Sequence, residues 1–213
     1  MLSDHDLELP LSGWNEIERA GRTRRWRNDV GDQLSLDFFD VPPDLPSPPS
    51  NIEPVRALYR QQLGASGGIV QVDAVVASGV PAVLAVFKFP QSPTGMTYLG
   101  AITIPFRDCS FVIKWQCPER GITGVRDTAV FALVAPPLDD ETSLPLGWAA
   151  DPYDPSHHSA IVRNRSDDVE WDARFPEHPL SRLRSYLRTV DSLRLSGRAA
   201  HEPKFGNSTS HER

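Results

Sequence analysis

Cysteine is scarce: the chain has two in 213 residues, Cys109 and Cys117. Both fall on one stretch that alternates like a β-strand, so their Cα atoms stand roughly 26 Å apart. A disulfide needs Cα atoms within about 7 Å. Both are therefore read as small buried apolar residues, with no His or Asn placed beside either to activate a thiol. No run of about 18 apolar residues exists, which excludes a transmembrane helix. The acidic start, Met1 to Pro10, lacks the apolar core of a secretory signal, so a cytoplasmic protein is expected. HExxH, HxH and Cys–His spacings are missing, so neither a metal site nor a cofactor is expected. Ser-x-x-Lys is missing too, and no catalytic residue is assigned. The Gly64-Ala65-Ser66-Gly67-Gly68 run has no Lys-Ser/Thr after it and precedes a strand, so it reads as a turn and not a phosphate cradle.

What is present is proline, and it clusters. There are 20 in all, five of them between Pro42 and Pro49. These clusters mark connections, because Pro lacks an N–H and fixes φ. Hydrophobic content of 39% with a mean hydropathy of −0.35 is enough for one core.

The clearest pattern is Cys109-Ser110-Phe111-Val112-Ile113-Lys114-Trp115-Gln116-Cys117, apolar at every odd position. It predicts a strand with one face in a core and the other mostly in water. Three more strands precede it, from Ile69 to Val76, Pro81 to Phe89 and Met96 to Ile104, joined by short turns into an antiparallel meander. Earlier segments around Trp14–Glu18, Thr23–Asn28 and Gln33–Phe39 extend the sheet. A helix is predicted from Ser50, with Ser50 and Glu53 as a capping box and Ile52, Val55, Leu58, Tyr59 and Leu63 on one face. A second is predicted from Thr123, its apolar side Val125, Ala129, Ala132 and Leu133 turned to the core. A third opens at His178-Pro179, with Leu180, Leu183, Leu187 and Val190 as its stripe. Helices segregated from antiparallel strands indicate an α+β fold, with one sheet face buried under two or three helices. The expected organisation is a lead-in over 1–12, one domain over 13–197, and an unstructured tail over 198–213. Within the domain, 138–177 is acidic and loop-rich and 178–196 is the C-terminal helix.

Residues 138–177 carry ten acidic residues against three arginines. A short helix is expected at Asp168–Arg174, capped by Asp167 and Glu170. His157 and His158 lie near Asp151, Asp154 and Asp167. They are the only candidates for acid–base or metal chemistry, but adjacent residues point apart, and a solvated acidic loop is the simpler reading. Trp148, Tyr153 and Trp171, with Asp151 and Asp154, are candidate partner-binding residues, because aromatics on loop-rich surfaces act as anchors. The same aromatics could instead tuck down and close the sheet edge. Five arginines fall between Arg19 and Arg27, and others line the C-terminal helix. Arg24, Arg25, Arg27, Arg184 and Arg188 are candidate anion-binding residues. With a net charge of −6, however, the chain's own acidic residues are the simpler partners, which argues against nucleic acid.

From Trp14 to Leu133 the order of elements resembles the PsbP-like (DcrB-type) α/β/α sandwich family. Gly95-Met96-Thr97-Tyr98-Leu99-Gly100, Pro105-Phe106-Arg107-Asp108 and Phe175-Pro176-Glu177-His178-Pro179-Leu180-Ser181-Arg182 look like parts of an uncharacterised bacterial version. The resemblance implies an adaptor, binding or assembly protein, immunity-type or secretion-associated, rather than an enzyme. It implies a protein partner and carries over no catalytic residue.

Overall fold

The computed structural model describes residues 2–140 and 145–206. In chain order the elements are β1 (Leu7–Glu8), β2 (Asn15–Ala20), β3 (Thr23–Arg27), β4 (Gln33–Phe39), α1 (Glu53–Leu63), β5 (Gly68–Ala77), β6 (Val80–Pro90), β7 (Met96–Pro105), β8 (Ser110–Pro118), α2 (Val125–Val134), α3 (Pro179–Leu187), β9 (Arg194–Leu195) and α4 (Gly197–Ala200). Seven strands form one antiparallel sheet in the order β2-β3-β4-β8-β7-β6-β5. The fold is α+β, with an antiparallel meander at its centre. The β5–β6 turn is Ser78-Gly79, with φ of 51° and 80° at its two central residues. Positive φ at both suits the two-residue hairpin whose twist matches that of the strands.

Alternation along β6 sends Leu84 and Val86 to one face and Val83, Ala85 and Phe87 to the other, and both faces are used. On the first, Leu180, Leu183 and Leu187 of α3 pack on Ile102, Ile104, Phe111, Ile113 and Trp115. On the second, Val55 of α1 is fully buried against Val72, Val83 and Ala85. Each fully buried side chain of this size contributes about 1.5–3 kcal/mol. The result is an α/β/α layering, where the strand pattern alone suggested a single covered face. The second face is covered only toward β5 and stays polar at Ser35, Asp37, Lys114 and Gln116, as the alternation of β4 and β8 requires.

Several boundaries differ from the sequence reading. Ile52, in a helical conformation, precedes α1 with no side-chain cap, so the Ser50–Glu53 box does not form. Gly124, not Thr123, stands at the start of α2, with φ of 73°. The turn at 165–171 is two short 3-10 segments, and Asp167 caps the first one back to Asn164. The third helix stops at Leu187 and continues to Ser192 as a 3-10 turn.

The two ends of the chain also differ. Leu7 and Leu195 pair across β1 and β9, and Asp6 accepts hydrogen bonds from Ser196 and Arg198. Ala199 is buried in the core, and Arg107 N donates to Pro203 O at 2.8 Å. The lead-in and the first part of the tail hold each other, through contacts more than 180 residues apart in sequence. Residues 207–213 and Glu141 lie outside the described residues. Among the described residues, no helix is long and apolar enough to cross a membrane.

Candidate functional site

β5 is an edge strand, and its outward backbone groups need partners. The acidic segment supplies one. The Tyr153 hydroxyl accepts the Val72 N–H at 2.7 Å and donates to Asp73 Oδ1 at 3.1 Å. The Arg56 guanidinium lies over the Tyr153 ring, 3.5 Å from its centroid, and its Nε donates to Val72 O at 2.9 Å. Asp151 accepts from Arg60 Nε and Nη2, both at 3.0 Å, and from the backbone N–H groups of Tyr153 and Asp154. Burial works against the Asp151 carboxylate, but these donors outweigh it and hold its pKa below the usual value. Tyr153 and Asp151 are thus seated against the sheet and the helix beneath it. Asp154 ties down Ser156.

The other aromatics divide. Trp148 packs edge-on against Phe131 of α2 with centroids 5.0 Å apart. Trp171 is half-buried beside Arg174, and its Nε1 finds no acceptor among the described residues. His157 N donates to Asp154 O in a turn, and His158 is exposed. Among the described residues, no group of three or more His, Cys, Asp or Glu gathers as metal ligands would. Cys109 and Cys117 are buried and unpaired, and burial pushes the Cys109 thiol up to about 11.

The two arginine groups do not share a surface. Arg24 and Arg25 pair with Glu16 and Glu18 across β2 and β3, at 3.0 and 2.7 Å, and Arg27 is exposed on the same strand. Arg184 and Arg188 lie at the far end of the sheet, near β5. Five strand spacings separate β3 from β5, roughly 24 Å.

Sequence reasoning missed a third arginine. Arg126 of α2 is fully buried. It donates to Ser166 O at 2.6 Å, Asp168 O at 2.9 Å, Ser181 Oγ at 2.8 Å and Asp172 Oδ1 at 3.0 Å. Arg184 Nη1 reaches the same Asp172 oxygen at 3.0 Å. Below them lies a buried pair, Lys88 Nζ to Asp167 Oδ2 at 2.6 Å, with Tyr98 donating to Asp167 Oδ1 at 2.9 Å. Burial opposes the Asp167 charge, and Lys88 more than offsets it, so its pKa stays low. These contacts lock 164–172 between α2, α3 and the sheet.

Turning Arg126 inward has a consequence for α2. Arg126 and Val130 form its buried side. The apolar stripe expected to face the core therefore faces out. Val125 is 49% exposed and Leu133 60% exposed, with Ala132 also exposed and Ala129 half-buried. At the N-terminal end of this stripe lies a groove of about 550 Å³. Val125, Val30, Phe175 and Pro176 line it, as does Ile122, which is 86% exposed. Arg120 and Arg174 stand exposed at its rim. One wall is held by Glu119, which accepts from Met96 N at 2.8 Å and Gly124 N at 3.0 Å and faces His178 Nε2 at 3.6 Å. His178 Nδ1 accepts from Leu180 N and caps α3. The signal available in the sequence was an arginine at the second position of a helix otherwise almost free of charge.

No family model matches the chain, and no curated protein matches its sequence. Several solved structures are similar over part of it, two of them as follows. One is a protein from Bacteroides thetaiotaomicron, 14% identical with a TM-score of 0.37, covering 57% of this chain and 41% of that one. The other is the Saccharomyces cerevisiae Ran-binding protein Mog1p, 13% identical with a TM-score of 0.39, covering 57% of this chain and 74% of that one. The present chain thus spans less than half the length of the Bacteroides protein.

Proposed function

We propose that this chain is a protein-interaction module that receives an amphipathic helix of another protein along α2 and in the groove at its N-terminal end. One observation carries the reading. Val125, Ala129, Ala132 and Leu133 recur at helical spacing on a side of α2 that no other element covers among the described residues. A stripe at i, i+4, i+7 and i+8 is the seam into which a second helix packs its own ridges. Ile122 and Val30 continue it into the groove. Arg120 and Arg174 at the rim select carboxylates on the incoming segment, within a chain that is otherwise net acidic. The PsbP-like resemblance points the same way, since the understood members are mostly adaptor, binding or assembly proteins.

A photo-crosslinking residue in place of Ala132 tests this. The reading predicts a crosslink to an amphipathic, acidic helical segment of a different protein. A synthetic peptide of that segment should bind the wild-type chain and bind Leu133→Glu at least tenfold more weakly. Crosslinks only between copies of this chain would mean self-association, and crosslinks to an apolar strand or loop would mean another mode; either contradicts the reading.

A further inference from the structure

A second cavity, of about 570 Å³, opens at the C-terminal end of α3, away from the α2 stripe. Its floor is apolar: Val70, Leu84 and Leu187 are 3%, 8% and 6% exposed. Its walls carry Arg163, Arg184 and Arg188. The carboxylate facing them, Asp73, is already engaged by Arg56, Gln71 and Tyr153. The arginines are less well supplied. Arg184 is held by Asp167 O and by an Asp172 oxygen that it shares with Arg126. Arg163 pairs with Asp168 through Nη2, while its Nε is buried with no acceptor. The Arg188 side chain makes no hydrogen bond or ion pair among the described residues, while its backbone N–H closes α3 on Arg184 O. Unsatisfied guanidinium donors above an apolar floor are complementary to one kind of ligand.

We propose that this cavity binds a small organic anion, with a carboxylate or phosphate head on Arg188 and Arg163 and an apolar body on Val70, Leu84 and Leu187. The volume falls within the roughly 300–1,000 Å³ typical of ligand pockets. A guanidinium fork matches either head in two-pronged geometry. Both halves of the ligand are needed. A bare anion gains nothing from the floor and must compete with water for exposed arginine. An uncharged chain leaves the guanidinium donors unanswered.

Calorimetric titration of the full chain with octanoate, octyl phosphate, octanol and inorganic phosphate decides it. At least one of the two octyl anions is expected to bind, and the stronger one names the head group. Octanol and phosphate alone are expected to bind at least tenfold more weakly. Arg188→Gln and Val169→Asp, both at exposed wall positions, should each weaken the octyl anion at least tenfold without moving the melting temperature. Absence of binding by both octyl anions at millimolar concentration overturns the proposal. So does octanol or phosphate matching them, or unchanged affinity in Arg188→Gln. Arg188→Gln leaves the α2 stripe intact, so loss of anion binding and loss of helix binding are separately readable.

Discussion

The Tyr153 hydroxyl accepts the Val72 N–H at 2.7 Å, closing the outward edge of β5 from a loop about eighty residues downstream. Arg56 takes the carbonyl of the same residue, so neither backbone group of Val72 is left to recruit another strand. Val72 itself is fully buried. An unpaired N–H there therefore bears the full cost of a buried unsatisfied donor.

Tyr153→Phe keeps the ring under Arg56 and removes only the hydroxyl. It should lower unfolding stability by about 1–3 kcal/mol, measured by urea denaturation. Tyr153→Ala also loses the stacking and should expose the edge, giving faster aggregation on mild heating. Equal stability of Tyr153→Phe and wild type would mean that water replaces the hydroxyl at no cost.

Arg126→Met should be among the most damaging single changes in the chain. It leaves Asp172 and the carbonyls of Ser166 and Asp168 short of a donor. Removing one member of a buried ion pair typically costs about 3–5 kcal/mol. Guanidinium chloride unfolding provides the measurement, and a loss below about 1 kcal/mol would show that the network relaxes around the gap.

Gly100→Ala tests the packing of α3 on the sheet. A Cβ at Gly100 would meet Leu183 Cδ1 at 2.6 Å, with Leu183 itself fully buried. Overpacking of this kind costs about 1–3 kcal/mol. The same substitution at the solvent-facing Gly197, whose added Cβ meets nothing within 4 Å, should leave the melting temperature nearly unchanged.

Acid should unfold the protein over a definite window. Burial disfavours the Asp6 carboxylate, but hydrogen bonds from Ser196, Arg198 and Ser3 outweigh it and bring its pKa to about 2 from 3.8. Asp151, Asp167 and Glu119 are also held below their usual values. A folded-state pKa below the unfolded one means that the unfolded chain binds more protons as pH falls. The stabilisation is full above the unfolded carboxylate values and declines as pH drops from the unfolded range toward about 2. Melting temperature measured against pH should therefore hold steady near neutrality and fall through that range. Because Asp6 ties the two chain ends together, Asp6→Asn should flatten part of this fall and speed proteolysis of the C-terminal segment.

The sheet was legible in the sequence because alternation is a local property. Phe111, Ile113 and Trp115 announce their face without reference to anything else, and β4 to β8 follow. Pairing at long range left no such trace. Two residues at Leu7–Glu8 look like nothing until Arg194–Leu195 lies beside them. The capping signal at Ser50 was outbid by a chain that already enters α1 in a helical conformation at Ile52. Tyr153 and Asp151 stood out as candidate partner-binding residues, and in the fold they are engaged by Val72, Asp73 and Arg60 of this same chain. For α2, helical periodicity was visible but its orientation was not. Hydrophobicity assigns Val125 and Leu133 inward; four hydrogen bonds from Arg126 to residues 166–181 turn the helix the other way.

That inverted helix is the centre of the account, and one titration bears on it most directly. The crosslinked partner helix, as a peptide, is titrated into wild-type chain and into Val125→Glu/Leu133→Glu, with melting curves for both. The account predicts binding to wild type, at least a tenfold loss in the variant, and melting temperatures within about 3 °C, as expected for substitutions at solvent-facing positions. Undiminished binding by the variant would contradict it, as would a variant that unfolds because α2 buries those residues after all.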